Sequence, residues 1–305
     1  MSGSSPSVLV IRLDAVGDAL ALAPLLAAFA ERAIEVDVAL GERNRDAFSS
    51  RAMHRRFVDP TGGALHANGY AYALVATEKP EGYRLARASG AKHRIGFENG
   101  WGKPIKTLWI RTLMTSTVVR SAGMDANAPH ECEVLFELGR ALLGPDAVPT
   151  RDPVRLRPLV LEREPAPDPR VAFQVTDKWE RLGIAFDDVV ACARGCEGAR
   201  FVASTIERPY AERFAAATGV AVDYFSALEP WKEAIAAARA LVAPDSGALH
   251  VAGMTGTPVV AVFPPQPDLA LQVARWHPWA APYRIVEAVP GWPAKARAAF
   301  DDLLA

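Results

Sequence analysis

Short apolar runs alternate with amphipathic stretches along most of the chain. Val8–Arg12 is a short β-rich run, Val36–Leu40 predicts a second strand, and Leu20–Glu31 between them has apolar residues at helical spacing. Further along, Tyr72–Thr77 and Arg94–Phe97 predict two more strands. This strand–helix alternation predicts an α/β fold with parallel sheets that are covered by helices.

The alternation continues in the C-terminal part of the chain. Glu131–Leu143 predicts an amphipathic helix. Beyond it, the predicted elements in order are the strand Val171–Val175, the helix Phe186–Arg194, the strand Arg200–Ser204, the helix Pro209–Thr218, the strand Val220–Tyr224, the helix Pro230–Ala238, the strand Ala240–Ala243, the helix Ala248–Met254 and the strand Pro258–Phe263.

Prolines mark a boundary between two halves of the chain. They recur between Thr150 and Arg170, at positions 153, 158, 165, 167 and 169, where a helix or a central strand is not expected to continue. We therefore predict two domains, residues 1–155 and 156–305, with the option that the last helix packs back on the first domain. Two such α/β halves predict ligand binding in a cleft between them.

The composition is typical of a globular protein, since 50% of the 305 residues are hydrophobic and 23% are charged. No apolar run approaches the roughly 20 residues that span a bilayer. The N-terminus lacks the basic region of a signal peptide. Three cysteines, at positions 132, 192 and 196, form no disulfide framework, and we expect buried, unreactive thiols. These features predict a cytoplasmic protein.

The net charge of −1 conceals a basic segment. From Arg43 to Arg120 the sequence has 14 Lys and Arg against 5 Asp and Glu, a surplus of +9, and the remainder has 20 against 30, or −10. A basic segment of this kind suggests an anionic partner. Scattered, solvated surface charge is the alternative interpretation.

One candidate site lies where the apolar run Ala240–Ala243 gives way to Pro244-Asp245-Ser246-Gly247 and a predicted helix. Asp245 or Ser246 is suited to cap this helix, whose free N–H groups and dipole favour a phosphate. Gly247 permits close approach of a ligand to the backbone. His250 lies one turn further on the same face. An ordinary capped helix with a structural histidine is the alternative.

A second candidate lies in Arg12-Leu-Asp14-Ala-Val-Gly17-Asp18, again between a strand and a helix. Asp18 falls near the start of the helix, where it is suited either to cap the helix or to act as a general base. Asp14 competes for the role of base, and Arg12 is a candidate ion-pair partner for it.

Two further candidates follow strands of the second half. Lys178, in Thr176-Asp177-Lys178-Trp179, is placed to bind a diphosphate as a point charge, whereas Trp179 is more often a packing residue. Glu207, shortly after the strand that ends at Ser204, is suited to accept hydrogen bonds from ribose hydroxyls. A solvated loop position is the alternative for Glu207.

Together these motifs resemble glycosyltransferase family 9, the lipopolysaccharide heptosyltransferases. The resemblance rests on Arg12–Asp18 with Pro24 downstream, on Lys178-Trp179, and on Asp245-Ser-Gly-x-x-His250-x-Ala followed by Gly256-Thr-Pro258. Arg94-Ile-Gly-Phe97 and His130-Glu131 are lesser similarities. The resemblance runs from about Val8 to Phe263, and the Asp-Ser-Gly-x-x-His block is its most specific part.

The resemblance implies a GT-B fold, with two Rossmann-like domains whose parallel sheets face a central cleft. The N-terminal domain is then expected to bind the acceptor and the C-terminal domain the nucleotide sugar. The family transfers sugars with inversion and without a catalytic metal ion, and the sequence contains no Asp-x-Asp pair. No cofactor is implied beyond the nucleotide-sugar donor, for which ADP-heptose is the best single choice.

By position, the resemblance implies that Asp18 is the base that deprotonates the acceptor hydroxyl and that Lys178 neutralises the departing diphosphate. Glu207 is implied to hold the ribose of the nucleoside. The implied contacts to the diphosphate and the sugar are Thr176, Asp245, Ser246 and Gly247, with His250 in support. The loop Phe173–Asp177 is bulkier than its counterpart in the family, and Ala203–Ile206 stands where a Gly-Gly-Pro-like turn is common.

The expected acceptor is an anionic glycolipid or oligosaccharide such as the lipopolysaccharide core, which the basic segment would attract. Trp101–Arg111 mixes aromatic and cationic residues as interfacial segments do, so a peripheral contact with the inner face of the membrane is a further expectation, beside core packing of the same residues. Nucleic acid is not an expected partner. A non-catalytic sugar-nucleotide-binding protein and a nucleotide-sugar epimerase of the GT-B shape are the alternative functions.

Overall fold

The computed structural model describes residues 7–50, 57–58, 69–120 and 127–305. The chain divides into two compact units, Met1–Arg151 and Asp152–Ala305. The observed division lies slightly before the predicted one at residue 155.

The first unit is built on a parallel sheet of six described strands in the order β3-β2-β1-β4-β5-β6. All residues of the first strand are buried, as expected for a parallel strand covered on both faces. The strands are β1 (Val8–Arg12), β2 (Val36–Leu40), β3 (Phe57–Val58), β4 (Tyr72–Val75), β5 (His93–Glu98) and β6 (Ser116–Val119).

Helices follow most of these strands. The first begins at Val16, earlier than predicted, so Asp18 lies inside its first turn. The helices of this unit are α1 (Val16–Leu20), α2 (Ala23–Glu31), α3 (Pro80–Ala88), α4 (Pro104–Leu113), α5 (Glu131–Phe136) and α6 (Arg140–Leu143). The single helix predicted over Glu131–Leu143 is interrupted by a 3-10 turn at Glu137–Gly139.

The second unit repeats the architecture with a parallel sheet in the order β12-β11-β10-β7-β8-β9. Its strands are β7 (Asp168–Gln174), β8 (Arg200–Ser204), β9 (Val222–Phe225), β10 (Ala238–Pro244), β11 (Val259–Phe263) and β12 (Tyr283–Glu287). The chain leaves β7 in one direction and returns to its other side at β10. Ligands of open α/β sheets bind at such a switch point, outside the carboxyl ends of the strands.

The helices of the second unit are α7 (Pro153–Val160), α8 (Lys178–Arg181), α9 (Phe186–Arg194), α10 (Arg208–Thr218), α11 (Leu228–Ala237), α12 (Gly247–Thr255), α13 (Leu269–Trp276) and α14 (Trp292–Leu304). The last helix packs against α9, β11 and β12 of its own unit. Gly256 ends α12 with a φ of 77°, a left-handed conformation that favours glycine.

The expectation that the proline-rich segment contains no helix is wrong, because α7 lies within it. Asp152 caps this helix, its carboxylate accepting a hydrogen bond from the Val154 N–H at 2.9 Å. Pro153 occupies the first turn, where its missing N–H costs nothing. Pro158 lies inside the helix. The helix packs against α12, and burial of its Leu156, Leu159 and Val160 offsets the lost hydrogen bond.

The three cysteines are free thiols. Cys132 and Cys192 are buried, and burial raises the pKa of the Cys132 thiol well above its ordinary value. In Cys192 the pKa is raised by a hydrogen bond with Cys196 and by burial. A thiol with a raised pKa is a poor nucleophile, which agrees with unreactive roles for these two.

Candidate functional site

Ser246 joins the two loops at the switch point of the second sheet. It is the N-cap of α12, and its Oγ accepts a hydrogen bond from the Ala248 N–H at 3.3 Å. The same hydroxyl donates to Oε1 of Gln174, the last residue of β7, at 2.6 Å. Of the two capping candidates, Ser246 therefore caps the helix. It also fixes the start of α12 against the neighbouring strand.

Asp245 and Gly247 flank this cap at the carboxyl end of β10, and both are partly exposed. The Asp245 N–H donates to the Val262 carbonyl at 3.1 Å, which continues the sheet pairing by one residue. Its carboxylate has no hydrogen bond or ion pair with the described residues. The arrangement leaves a free carboxylate and the positive end of the α12 dipole together at this edge.

Lys178 lies at the start of α8, after the carboxyl end of β7. Its side chain is partly exposed, and its ammonium group forms no ion pair within the described ranges. Trp179 next to it is fully buried, stacked between Phe173 and Trp292, and donates from Nε1 to the Gln174 carbonyl at 2.9 Å. The packing role predicted for Trp179 is confirmed. Trp179 anchors the chain next to Lys178, whose ammonium group is unpaired within the described residues.

Glu207 is attached to the loop before Lys178. Its carboxylate accepts hydrogen bonds from the Thr176 hydroxyl and the Asp177 N–H, both at 2.7 Å. The Thr176 hydroxyl also accepts from the Lys178 N–H at 3.2 Å. Burial raises the pKa of Glu207, against the effect of these two hydrogen bonds. The interpretation of Glu207 as a solvated loop residue is therefore not supported, because Glu207 is hydrogen-bonded to the loop before Lys178 and holds it in place.

His250 lies on α12 and is buried. Its ring meets that of Trp276 edge to face, with centroids 5.6 Å apart. Trp276 ends α13, an element that the sequence patterns did not predict. The backbone beyond it lies against α12, where the Ala280 N–H donates to the Gly253 carbonyl at 2.9 Å. His250 is thus placed on the same helix as Ser246, although its side chain is largely enclosed by protein.

Asp18 in the first unit is held from two sides. One carboxylate oxygen accepts from the Ala15 N–H at 3.1 Å, and the other lies 3.6 Å from the guanidinium of buried Arg12. Arg12 also pairs with Asp14 at 3.3 Å, as predicted. About a third of the Asp18 side chain, 34%, remains exposed. Its carboxylate is therefore oriented and still accessible at the carboxyl edge of the first sheet.

Sequence reasoning missed the buried acid behind this pair. Glu131 is completely buried and lies 3.7 Å from Arg12 and 2.8 Å from Arg120. Arg120 in turn pairs with Glu78 at 3.2 Å, and Glu78 with Lys106 at 3.3 Å. The His130-Glu131 similarity noted in the sequence was the only signal of this network. Its acids and cations come from five separate segments of the chain.

Some cations of the basic segment form ion pairs with acids inside the first unit. Arg111 binds the buried Glu98 through two nitrogens, at 2.5 and 2.7 Å. This interaction lowers the pKa of Glu98. The arginines at positions 51, 55 and 56 lie outside the described residues. The surplus of +9 is thus only in part a free surface charge.

Two general features of the described ranges bear on the site. No group of three or more His, Cys, Asp and Glu side chains there is arranged to hold a metal ion. None of the helices in these ranges has the length and apolar character needed to cross a bilayer.

Comparison with known proteins gives a family match for one part of the chain. Residues 226–301 match the model of glycosyltransferase family 9 (heptosyltransferase). A glycosyl transferase family 9 structure from Veillonella parvula has a TM-score of 0.72 at 14% identity, covering 100% of this chain and 98% of that chain. A search of curated proteins by sequence gives no match.

Two Escherichia coli structures give the same result. Heptosyltransferase WaaC with ADP has a TM-score of 0.72 at 16% identity, covering 97% of this chain and 99% of that chain. ADP-heptose lps heptosyltransferase II has a TM-score of 0.68 at 17% identity, with 98% of each chain covered. The GT-B fold that the motifs predicted is confirmed by these matches. The family match is confined to residues 226–301, which include the Asp245–His250 block, so this part of the chain is similar to glycosyltransferase family 9 and the chain as a whole shares the GT-B fold of the heptosyltransferase structures.

Proposed function

We propose that the chain transfers heptose, with inversion and without a metal ion, from ADP-heptose to a lipopolysaccharide-core or related glycan acceptor. The observation that carries this proposal is the Lys178 ammonium, which is partly exposed and unpaired within the described residues. Lys178 follows β7, and β7 pairs with β10, the strand that leads into α12. A cation and a helix N-terminus at one switch point supply two sources of positive potential for a diphosphate.

The donor contacts follow from this arrangement. The diphosphate binds at the N-terminus of α12, close to Gly247, with Lys178 as its counter-ion. The carboxylate of Asp245 accepts hydrogen bonds from sugar hydroxyls. Glu207 has two oxygens with about four acceptor positions, so it retains capacity for ribose hydroxyls beside its two protein donors. Two E. coli relatives named for ADP or ADP-heptose support the choice of donor.

Asp18 is the proposed general base. It takes the proton of the acceptor hydroxyl while that oxygen forms its bond to the anomeric carbon and the bond to the diphosphate breaks. Arg12 and the Ala15 N–H hold the carboxylate in one orientation, which lowers the entropic cost of the step. The electron pair of the broken bond goes to the diphosphate, where Lys178 stabilises the developing charge.

The acceptor is proposed to be an anionic glycolipid, met at the cytoplasmic face of the inner membrane. The described cations of the first unit that support this are Lys79 and Lys103, which are exposed near the carboxyl edge of the sheet. Their attraction for an anionic acceptor is expected to weaken with salt.

The donor site is tested by titrating the protein with ADP in a calorimeter. Lys178→Ala is expected to weaken ADP binding by roughly 10- to 100-fold, because a charge-assisted contact to a phosphate contributes about 1.5–3 kcal/mol. Lys295→Ala, an exposed lysine on α14, serves as the control and keeps full affinity. Equal ADP affinity in both variants would remove Lys178 from the site. ADP binding without turnover of ADP-heptose by the wild type would instead indicate the non-catalytic binding protein.

A further inference from the structure

Three large apolar side chains are exposed to solvent within one short segment of the first unit. Trp101 is 94% exposed, Ile105 85% and Leu108 68%. Trp101 belongs to the 3-10 turn Gly100–Gly102, and the other two lie on α4. Scattered exposed apolar residues are normal, but three within eight positions form a patch that requires an explanation.

The packing of α4 against the first unit does not explain why these side chains are apolar. The helix already buries Thr107, Ile110 and Leu113 against the first unit. Ile105 and Leu108 are three residues apart and therefore share the opposite face. A helix with one buried and one exposed apolar face has a second surface that the fold of the described residues leaves uncovered.

The charged residues on this segment are all basic, and among them Lys103 forms no ion pair with the described residues, whereas Lys106 pairs with Glu78 and Arg111 with Glu98. Between Trp101 and Arg120 the sequence has no Asp or Glu, whereas Lys103, Lys106 and Arg111 accompany the apolar side chains. Lys103 and Arg111 are exposed, and the acid that Arg111 contacts, Glu98, is buried. Exposed apolar side chains next to an unpaired lysine match the interface of an anionic bilayer, which takes up both.

The face also lies at an appropriate edge of its unit. Trp101 and the first turn of α4 follow the carboxyl end of β5, and Asp18 follows the carboxyl end of β1. Because the strands are parallel, both lie at the same edge of the first sheet. A bilayer bound there would present a lipid-linked acceptor on the side of the unit that carries the proposed base.

We propose that Trp101, Ile105 and Leu108, with Lys103 beside them, are a docking surface for an anionic phospholipid bilayer. The proposal deepens and rests on the proposed function, since it assigns a place to the membrane contact of a glycolipid-modifying enzyme. Trp101 inserts at the level of the headgroups, where its amphipathic ring is favoured, and Lys103 faces the lipid phosphates.

Vesicle flotation of the full chain tests this surface. We expect the wild type to float with phosphatidylcholine vesicles that contain phosphatidylglycerol, more weakly at high salt, and not with phosphatidylcholine alone. The triple variant Trp101→Gln, Ile105→Gln, Leu108→Gln should lower the partition coefficient by about tenfold or more. The control, Val148→Gln with Val154→Gln, removes two equally exposed apolar side chains elsewhere and should float as the wild type does.

Other results overturn the proposal. Equal flotation of the triple variant and the control would show that the patch does not dock. Failure of the folded wild type to float, or a wild-type dimer that the triple variant converts to a monomer, would assign the patch to another role. Because flotation does not require turnover, ADP binding and heptose transfer measured on the same samples separate its outcome from that of the proposed function.

Discussion

At the scale of single residues, a buried carboxylate gives two arginines of the first unit a structural role that exposed cations do not have. Glu131 holds Arg12 and Arg120, and Arg12 in turn contacts Asp18. Removing one partner of a buried pair leaves the other charge uncompensated, which costs more than the pair contributes. The motif Arg12–Asp18 could be identified from its sequence, whereas Glu131 lies more than 100 residues away and only the fold brings it to Arg12.

A similar limit applied to the loop before Lys178. Its bulk was evident in the sequence, and so was the position of Glu207. That Glu207 binds Thr176 and the Asp177 N–H could not be predicted, because the contact joins the carboxyl ends of two neighbouring strands. The hydrogen bonds show how this bulky loop is held in place.

Glu98 provides a pH prediction at this scale. Hydrogen bonds from Arg111 and Thr117 lower its pKa in the folded state. The unfolded chain therefore binds the proton more readily, so the stabilisation is present above the ordinary carboxylate pKa and is lost as the pH falls through the folded pKa. Glu98→Gln should lower the free energy of unfolding by about 1.5–3 kcal/mol at pH 7, and the difference from wild type should shrink in acid.

The measurement is denaturant unfolding of both proteins across the acid range. Glu81→Gln, an exposed acid on α3, is the matched control and should be close to wild type throughout. A Glu98→Gln deficit that stays constant from neutral to strongly acidic pH would show that packing, and not ionisation, is what the substitution disturbs.

Whole elements were predictable where their pattern was regular. The strands Val8–Arg12, Val36–Leu40 and Arg200–Ser204 and the helix Phe186–Arg194 have the predicted bounds. The helix α7 was missed because prolines were taken as breaks, although Asp152 and Pro153 form a regular helix start. Long-range packing, which no local pattern records, determines that α13 lies beside α12.

The close approach of α12 to the segment after α13 gives a prediction at the scale of elements. A Cβ on Gly253 would lie 2.7 Å from the Trp279 nitrogen and 3.0 Å from the Pro278 Cα. Alanine normally stabilises a helix by about 1 kcal/mol relative to glycine. Here Gly253→Ala should destabilise the second unit by about 1–3 kcal/mol, because backbone has to move.

Thermal unfolding measures this effect. Gly102→Ala is a suitable control, since a Cβ there has no neighbour within 4 Å and the backbone is not left-handed. A Gly253→Ala protein with an unchanged or raised melting temperature would show that the segment Pro278–Trp279 yields easily. It would then not be a rigid support for His250 and Trp276.

At the scale of the molecule, the two units have the same strand order, and each has its motifs at the carboxyl edge of its own sheet. This duplication was predictable from the strand–helix alternation and the boundary near residue 150. The distribution of free surface charge was less predictable, because Arg111 and Arg120 form ion pairs with the buried acids Glu98 and Glu131. For Trp101–Arg111 the sequence left an interfacial role and core packing open, and the exposure of Trp101, Ile105 and Leu108 argues against core packing of these three.

The most direct test of the account is heptose transfer from ADP-heptose to a lipopolysaccharide-core acceptor by the wild type and by Asp18→Asn. Asparagine keeps the size of the side chain but cannot accept the proton, so kcat should fall by roughly 100- to 10,000-fold. ADP binding, which involves the other unit, should remain unchanged. Transfer by Asp18→Asn within a few-fold of wild type would contradict the account, as would a wild type that binds ADP and transfers nothing.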